Sequence, residues 1–150
     1  MRALRAIPVL AAFAVAAGCS QSEPAIPPAC LQGQGAVTGA LRSAPGAVSF
    51  ADGTRLSACI ERADSGAELQ EVGTSYVGVA STLAEAVPRS DAAALQLGYL
   101  VGATRRGAAN TNGTGMELLR RMELTIGIDG PPPSRRAAYA RGLAAGHRAG

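Results

Sequence analysis

The stretch from Ser65 to Ala103, SGAELQEVGTSYVGVASTLAEAVPRSDAAALQLGYLVGA, decides the fold of this chain. It opens with a capping box, in which the Ser65 hydroxyl accepts from the backbone N–H of Glu68 while the glutamate side chain reaches back. Apolar residues then recur at steps of three and four on one face: Leu69, Val72, Tyr76, Val79, Leu83 and Val87. This spacing predicts a long amphipathic helix that ends at Pro88.

A second helix is predicted directly after this proline. Ser90 and Asp91 begin it, with the carboxylate at the positive end of the helix. The run from Ala92 to Ala103 is apolar on nearly all sides, so we expect this helix to be central and the most buried. Small residues recur at four-residue steps and form a strip where another backbone can approach closely. The strip consists of Ala94, Gly98 and Gly102.

Capping residues predict three further helices. Thr54 is expected to cap a short helix before Ser65. Thr114 and Glu117 form a second capping box, which opens a helix whose inward residues are Met116, Leu119, Met122 and Ile126. Ser134 is expected to cap the last helix.

The last helix carries a second strip of small residues, Ala138, Gly142 and Gly146. We expect this strip to face the one on the central helix. The sequence therefore predicts a mainly α fold, in which residues 54–150 form a bundle of four to five helices with short loops.

The N-terminus has the pattern of an export signal. Arg2 and Arg5 precede an uncharged run, Val9 to Ala17, that is too short to cross a bilayer. The sequence Ala16-Ala17-Gly18-Cys19 resembles the lipobox of bacterial lipoproteins. The resemblance covers the first nineteen residues only.

The resemblance implies that residues 1–18 are a signal peptide and that Cys19 becomes a lipidated N-terminus. Diacylglyceryl, often with a further acyl chain such as palmitate, then holds the protein at the extracytoplasmic side of the cell membrane. Ser20, directly after this cysteine, resembles the default for the outer membrane, where a cell has one, because the usual retention signal at that position is Asp. Plain secretion with a free Cys19, or a short N-terminal membrane anchor, are the alternatives.

Two segments separate this anchor from the helices. Residues 19–29 are polar and rich in proline, as in an extended tether. Residues 30–53 are rich in glycine, and we expect them to be irregular. Once Cys19 carries lipid, Cys30 and Cys59 remain, and in an oxidising compartment such a pair is expected to form a disulfide that stabilises the fold by about 3 kcal/mol.

The charge balance argues against a nucleic-acid partner. The chain has 14 arginines and no lysine, and removing residues 1–18 leaves 12 arginines against 11 acidic residues, a formal charge of +1. Such a weak overall field does not attract a polyanion. Export and the scarcity of aromatic residues for base stacking argue in the same direction.

Basic residues nevertheless accumulate at the C-terminal end. Residues 135–150 contain Arg135, Arg136, Arg141 and Arg148, together with His147, and no acidic residue. These arginines are candidates for a contact surface toward anionic lipid or an acidic envelope polymer. The simpler interpretation is that they solubilise the helices and interact with helix C-termini.

No motif in the sequence indicates catalysis, a cofactor or a metal. His147 stands three residues before Gly150 and lacks an orienting partner. One acidic series has helical spacing that could suit calcium, but the capping box at Ser65 interrupts it, and an exposed charged face is the simpler explanation. The series is Glu61, Asp64, Glu68 and Glu71.

Three functional hypotheses follow. The first is a non-enzymatic envelope lipoprotein that acts through contact with a protein or a surface. The second is a small extracytoplasmic ligand-binding module, whose apolar cavity is lined by Tyr76, Tyr99 or Tyr139. The third is an enzyme, which would need acidic residues distant in sequence to converge with arginine in a cleft. The candidates are Glu85, Asp91 and Glu117.

Overall fold

The long helix and the central helix form as the capping residues predict. In the computed structural model, which describes residues 26–111, 113–127 and 129–150, helix α3 spans Gly66–Ala86 and helix α4 spans Asp91–Ala108. The Ser65 hydroxyl accepts from the Glu68 N–H at 3.2 Å, and the Ser90 hydroxyl accepts from the Ala93 N–H at 3.1 Å. These hydrogen bonds satisfy backbone donors that each first turn would otherwise leave free.

The described residues form six α-helices and contain no strand. The remaining four are α1, Gly33–Leu41; α2, Leu56–Glu61; α5, Thr114–Ile126; and α6, Arg136–Ala149. Three single turns of 3-10 helix accompany them, at Pro28–Leu31, Val87–Arg89 and Pro133–Arg135. The prediction of a mainly α bundle is confirmed.

Helix α4 lies at the centre, where α2, α3, α5 and α6 all pack against it. Every residue from Leu97 to Thr104 is buried, as the uninterrupted apolar run predicts. The Thr104 hydroxyl, the one hydroxyl in that run besides Tyr99, donates to the Leu100 carbonyl within its own helix at 2.9 Å.

The two strips of small residues face one another, as predicted. A β-carbon at Gly98 would overlap the Tyr139 carbonyl oxygen, and one at Gly102 would overlap the Leu143 carbonyl oxygen. Likewise Gly142 of α6 lies against the Leu95 carbonyl. Gly98 meets Tyr139, and Gly102, one turn later, meets Leu143, so α4 and α6 run parallel.

Helix α1 lies within residues 30–53, which were expected to be irregular, and that expectation is wrong for Gly33–Leu41. Three glycines lower its intrinsic helix propensity by about 1 kcal/mol each relative to alanine. Val37, Ala40 and Leu41 are nevertheless buried on one face against the core. Burial of that face outweighs the local preference.

The expected caps at Thr54, Thr114 and Ser134 are wrong, although each helix exists. α2 begins at Leu56, after the Thr54 N–H has bonded to the Asp52 carboxylate in a turn. α5 follows Gly113, whose φ is +97°, and Ser134 lies in a 3-10 turn before α6.

The start of α5 uses a different threonine. The Thr111 hydroxyl accepts from the Gly115 N–H at 3.2 Å, which satisfies one of the free donors of the first turn. Met116, expected to face inward, is half exposed, at 50%. Leu119 and Met122 are buried, as predicted, Leu118 is buried beside them, and Ile126 is partly buried.

Candidate functional site

The predicted anchor lies outside the described residues. The signal segment 1–18, Cys19 and residues 20–25 of the tether all precede the first described residue, Ile26. Among the residues that the structure describes, no helix combines the length and the apolar character needed to cross a membrane.

The two remaining cysteines lie at disulfide-bonding distance, as predicted. The sulfur atoms of Cys30 and Cys59 are 2.03 Å apart and their α-carbons 5.4 Å apart. Both residues are buried, so the pair joins the first 3-10 turn to α2 inside the core.

The four arginines of the predicted basic surface do not have equal surroundings. Arg135 is partly buried, and its guanidinium donates to the Asp91 carboxylate at 2.9 Å. This ion pair ties the start of α6 to the start of α4. Arg135 therefore has a partner inside the protein.

The other three arginines, Arg136, Arg141 and Arg148, are exposed on α6, as is His147. Within the described ranges, none of the three forms an ion pair with a carboxylate. The Arg136 side chain donates to the Pro131 carbonyl at 3.3 Å. The Arg148 backbone carbonyl accepts from the Arg106 guanidinium. Of these three arginines, only Arg148 lies in the last turn of α6, where the helix dipole favours positive charge.

The three tyrosines have different surroundings. Tyr76 is fully buried, its hydroxyl donates to the Leu56 carbonyl at 2.7 Å, and burial raises its pKa well above the usual range. The Tyr99 hydroxyl is buried near the Val48 backbone without a hydrogen bond of acceptable geometry, and burial raises its pKa. Tyr139 is partly buried between α6 and the core.

A groove is instead present along α3, bordered by α1 and α5, with a volume of about 750 Å³. Its apolar wall consists of Leu69, Val77 and Leu118. Gly73 and Gly78 also line it, and because they have no side chains the groove reaches the α3 backbone at these positions. Polar side chains lie around it: Gln34, Gln70, Thr74, Thr114, Glu117 and Arg121. None of the three predicted tyrosines is among its lining residues.

The ionised groups of this groove are already paired. The Glu117 carboxylate accepts from Arg120 at 2.8 Å and from Arg121 at 3.0 Å. Hydrogen bonds from Arg120 first, and then from Arg121, lower the pKa of Glu117 to about 2. The carboxylate therefore stays ionised throughout the neutral range and is poorly suited to act as a general base.

The acidic residues expected of an enzyme do not share this groove. Of Glu85, Asp91 and Glu117, only Glu117 lines it, while Asp91 pairs with Arg135. In the acidic series on α2 and α3, Glu68 accepts from the Asp64 N–H. No group of histidine, cysteine and acidic side chains within the described ranges is arranged to hold a metal ion.

The groove is not visible in the sequence, because its lining residues come from three helices. The available signal was the pair Gly73 and Gly78 inside an otherwise regular helix, where glycine costs stability unless a neighbour requires it. At Gly78 an added β-carbon would meet the end of the Gln34 side chain, which is flexible enough to move aside, so this contact does not by itself require glycine.

Comparison with known proteins gives no relative: no family model, curated protein or solved structure matches the chain.

Proposed function

We propose that this protein is a lipid-anchored lipoprotein of the bacterial cell envelope that acts by contact with another protein rather than by catalysis. Lipid on Cys19 holds it to the membrane, and residues 19–29 connect the lipid to the helical domain. The resemblance of Ala16–Cys19 to a lipobox supports the anchor. Cys30 and Cys59 lie at disulfide-bonding distance, which agrees with an extracytoplasmic location because disulfides persist in oxidising compartments.

The observation that carries the contact function is the open groove of α1, α3 and α5. Its apolar lining residues, Leu69, Val77 and Leu118, are buried or half-buried, and most of its polar lining residues are exposed. Protein interfaces have the same arrangement, with an apolar centre from which water is excluded and a polar border.

Site-specific photo-cross-linking in intact cells tests this proposal. A photoreactive amino acid at Thr74, which lines the groove, is expected to trap a discrete protein partner. Thr82 is the matched control: both threonines are exposed on α3 and donate to the carbonyl four residues earlier, but Thr82 is not a lining residue. Equal cross-linking from both positions, or from neither, would contradict the proposal.

A second candidate is a ligand-binding module, and the size of the groove favours it. Pockets that bind small molecules commonly measure about 300–1,000 Å³ with mostly apolar walls and a few polar groups. Thr74→Trp is expected to fill the groove and abolish saturable binding of an apolar fluorescent probe, whereas Thr82→Trp leaves it intact. This second candidate would be favoured if the photoreactive residue at position 74 captured no protein while the wild-type protein still bound the probe.

A further inference from the structure

The exposed side of α6 has an ordered arrangement of charge. Ala138, Gly142, Ala145 and Gly146 face the core, and the remaining side is open to solvent. Successive helical residues are about 100° apart, which defines the positions on that side. Three alanines occupy its middle: Ala137, Ala140 and Ala144. Basic residues flank them, with Arg136 and His147 on one edge and Arg141 and Arg148 on the other. We call this the α6 face.

The α6 face has positive charge without internal compensation. Residues 135–150 contain no acidic residue. The four ion pairs of the described ranges engage Arg105, Arg120, Arg121 and Arg135. They leave the three arginines of the α6 face with their charges directed to solvent.

The backbone beneath the α6 face is firmly held. Gly142 and Gly146 let α6 approach α4 until their α-carbons meet the carbonyl groups of Leu95 and Tyr99. The Arg106 guanidinium also donates to the Arg148 carbonyl in the last turn. The basic side chains are therefore presented from a fixed helix, with only alanine methyl groups between the two edges.

We propose that the α6 face lies against an anionic phospholipid surface and orients the domain on its membrane. The arginines on both edges bind lipid phosphates, for which the guanidinium group is well matched in geometry and charge. The alanines between them are short enough to let both edges reach one plane. This inference rests on the proposed lipid anchor for its location, because an anchor keeps the face close to lipid headgroups.

The position of the anchor supports a lipid surface as the partner. Ile26, the first described residue, comes seven residues after Cys19, and seven residues span at most about 25 Å. The domain is then confined near the bilayer, where weak contacts act at high effective concentration. Lipid anchors commonly combine with a basic patch in this way. The formal charge on residues 19–150 is only +1. Binding to an anionic surface must therefore come from a local cluster of positive charge such as the α6 face.

Vesicle binding by a chain without lipid tests the inference separately from the anchor. The probe is residues 19–150 with Cys19→Ser, mixed with phosphatidylcholine vesicles that contain or lack phosphatidylglycerol. We expect binding only with the anionic lipid, and its loss as salt is raised. Replacing Arg136, Arg141 and Arg148 together by glutamine should weaken partitioning by at least about tenfold.

A second triple variant provides the matched control. Arg42, Arg62 and Arg89 are exposed elsewhere, and their replacement by glutamine removes the same charge. Arg89 donates to the Glu85 carbonyl, as Arg136 does to Pro131, so each set loses one comparable hydrogen bond. Binding should survive in this control. Circular dichroism of both variants checks that the helices remain.

Four outcomes would overturn the inference. The first three are equal weakening in both triple variants, equal binding to neutral and anionic vesicles, and no binding to either. A fourth is binding of soluble polyglutamate through the α6 face without binding to anionic vesicles, since it would assign the face to an acidic polymer. Failure of lipidation at Cys19 would show in cell fractionation and not in the vesicle assay, so the two proposals fail separately.

Discussion

Gly98 of α4 lies so close to the Tyr139 carbonyl group of α6 that no β-carbon fits between them. The nearest atoms are backbone, which cannot rotate away as a flexible side chain would. Two parallel helices thus meet through their main chains, and the packing of α6 depends on glycine at this position.

Gly98→Ala is expected to destabilise the protein by about 1–3 kcal/mol, because forced overpacking exceeds the gain in helix propensity. Gly39→Ala is the control, since a β-carbon at this helical position in α1 meets nothing within 4 Å. It should instead stabilise the fold by about 0.5–1 kcal/mol. Reversible urea unfolding measures both. A stabilised Gly98→Ala protein would show that α4 and α6 are not in backbone contact.

Two buried tyrosines provide an internal comparison. Tyr76→Phe removes the hydrogen bond to the buried Leu56 carbonyl and should cost about 1–2 kcal/mol. Tyr99→Phe removes a buried hydroxyl without a partner, so its effect on unfolding free energy should be near zero or stabilising. Equal losses in urea unfolding would mean that the Tyr99 hydroxyl is hydrogen-bonded.

The cysteine pair should account for a large part of the stability. Cys30 and Cys59 are 29 positions apart, so their bond restricts a sizeable loop in the unfolded chain. Replacing both with alanine is expected to lower the free energy of unfolding by about 3–4 kcal/mol. The comparison is made by chemical denaturation of the oxidised protein and the double variant. Thiol titration that finds two free thiols in residues 26–150 would contradict the pairing.

Glu117 should titrate unusually low. Hydrogen bonds from Arg120 and Arg121 lower its folded pKa to about 2, against an ordinary value of 4.5. Its contribution to stability is therefore fully present above about pH 4.5 and is lost as the pH falls toward 2. Carboxyl-carbon NMR measures the midpoint directly. Replacing both arginines by glutamine should return it toward the ordinary value, and an unchanged midpoint would disprove this cause.

The anchor is tested by Cys19→Ser in the precursor. The variant should appear in the soluble extracytoplasmic fraction while the wild-type protein remains with membranes, because lipid supplies the attachment. Cys30 and Cys59 should remain oxidised in both proteins. A variant that stays membrane-bound after high-salt washing would refute lipidation as the means of attachment.

Much of the helical layout is predictable from local sequence. Ser65 and Pro88 mark the limits of α3 because a side-chain cap and a missing N–H act within a few residues. α1 is not predictable in this way. Gly35 and Gly39 disfavour a helix locally, and only burial of Val37 and Leu41 against distant residues reverses that preference.

Some features of the candidate sites are likewise predictable from the sequence, and others depend on the packing of the helices. The pair Cys30–Cys59 follows from counting cysteines, and the basic character of residues 135–150 from composition. The groove does not, because Gln34, Thr74 and Glu117 come together only when three helices pack.

The sequence by itself determined the central helix and the two strips of small residues, because helical periodicity fixes which residues share a face. Only the tertiary structure decided which arginines are available to a partner. Arg135 is paired with Asp91, 44 positions earlier, while Arg141, six residues later in the chain, is exposed to solvent on α6. Ion pairs depend on distances of a few ångströms between helices, and no spacing within one helix contains that information.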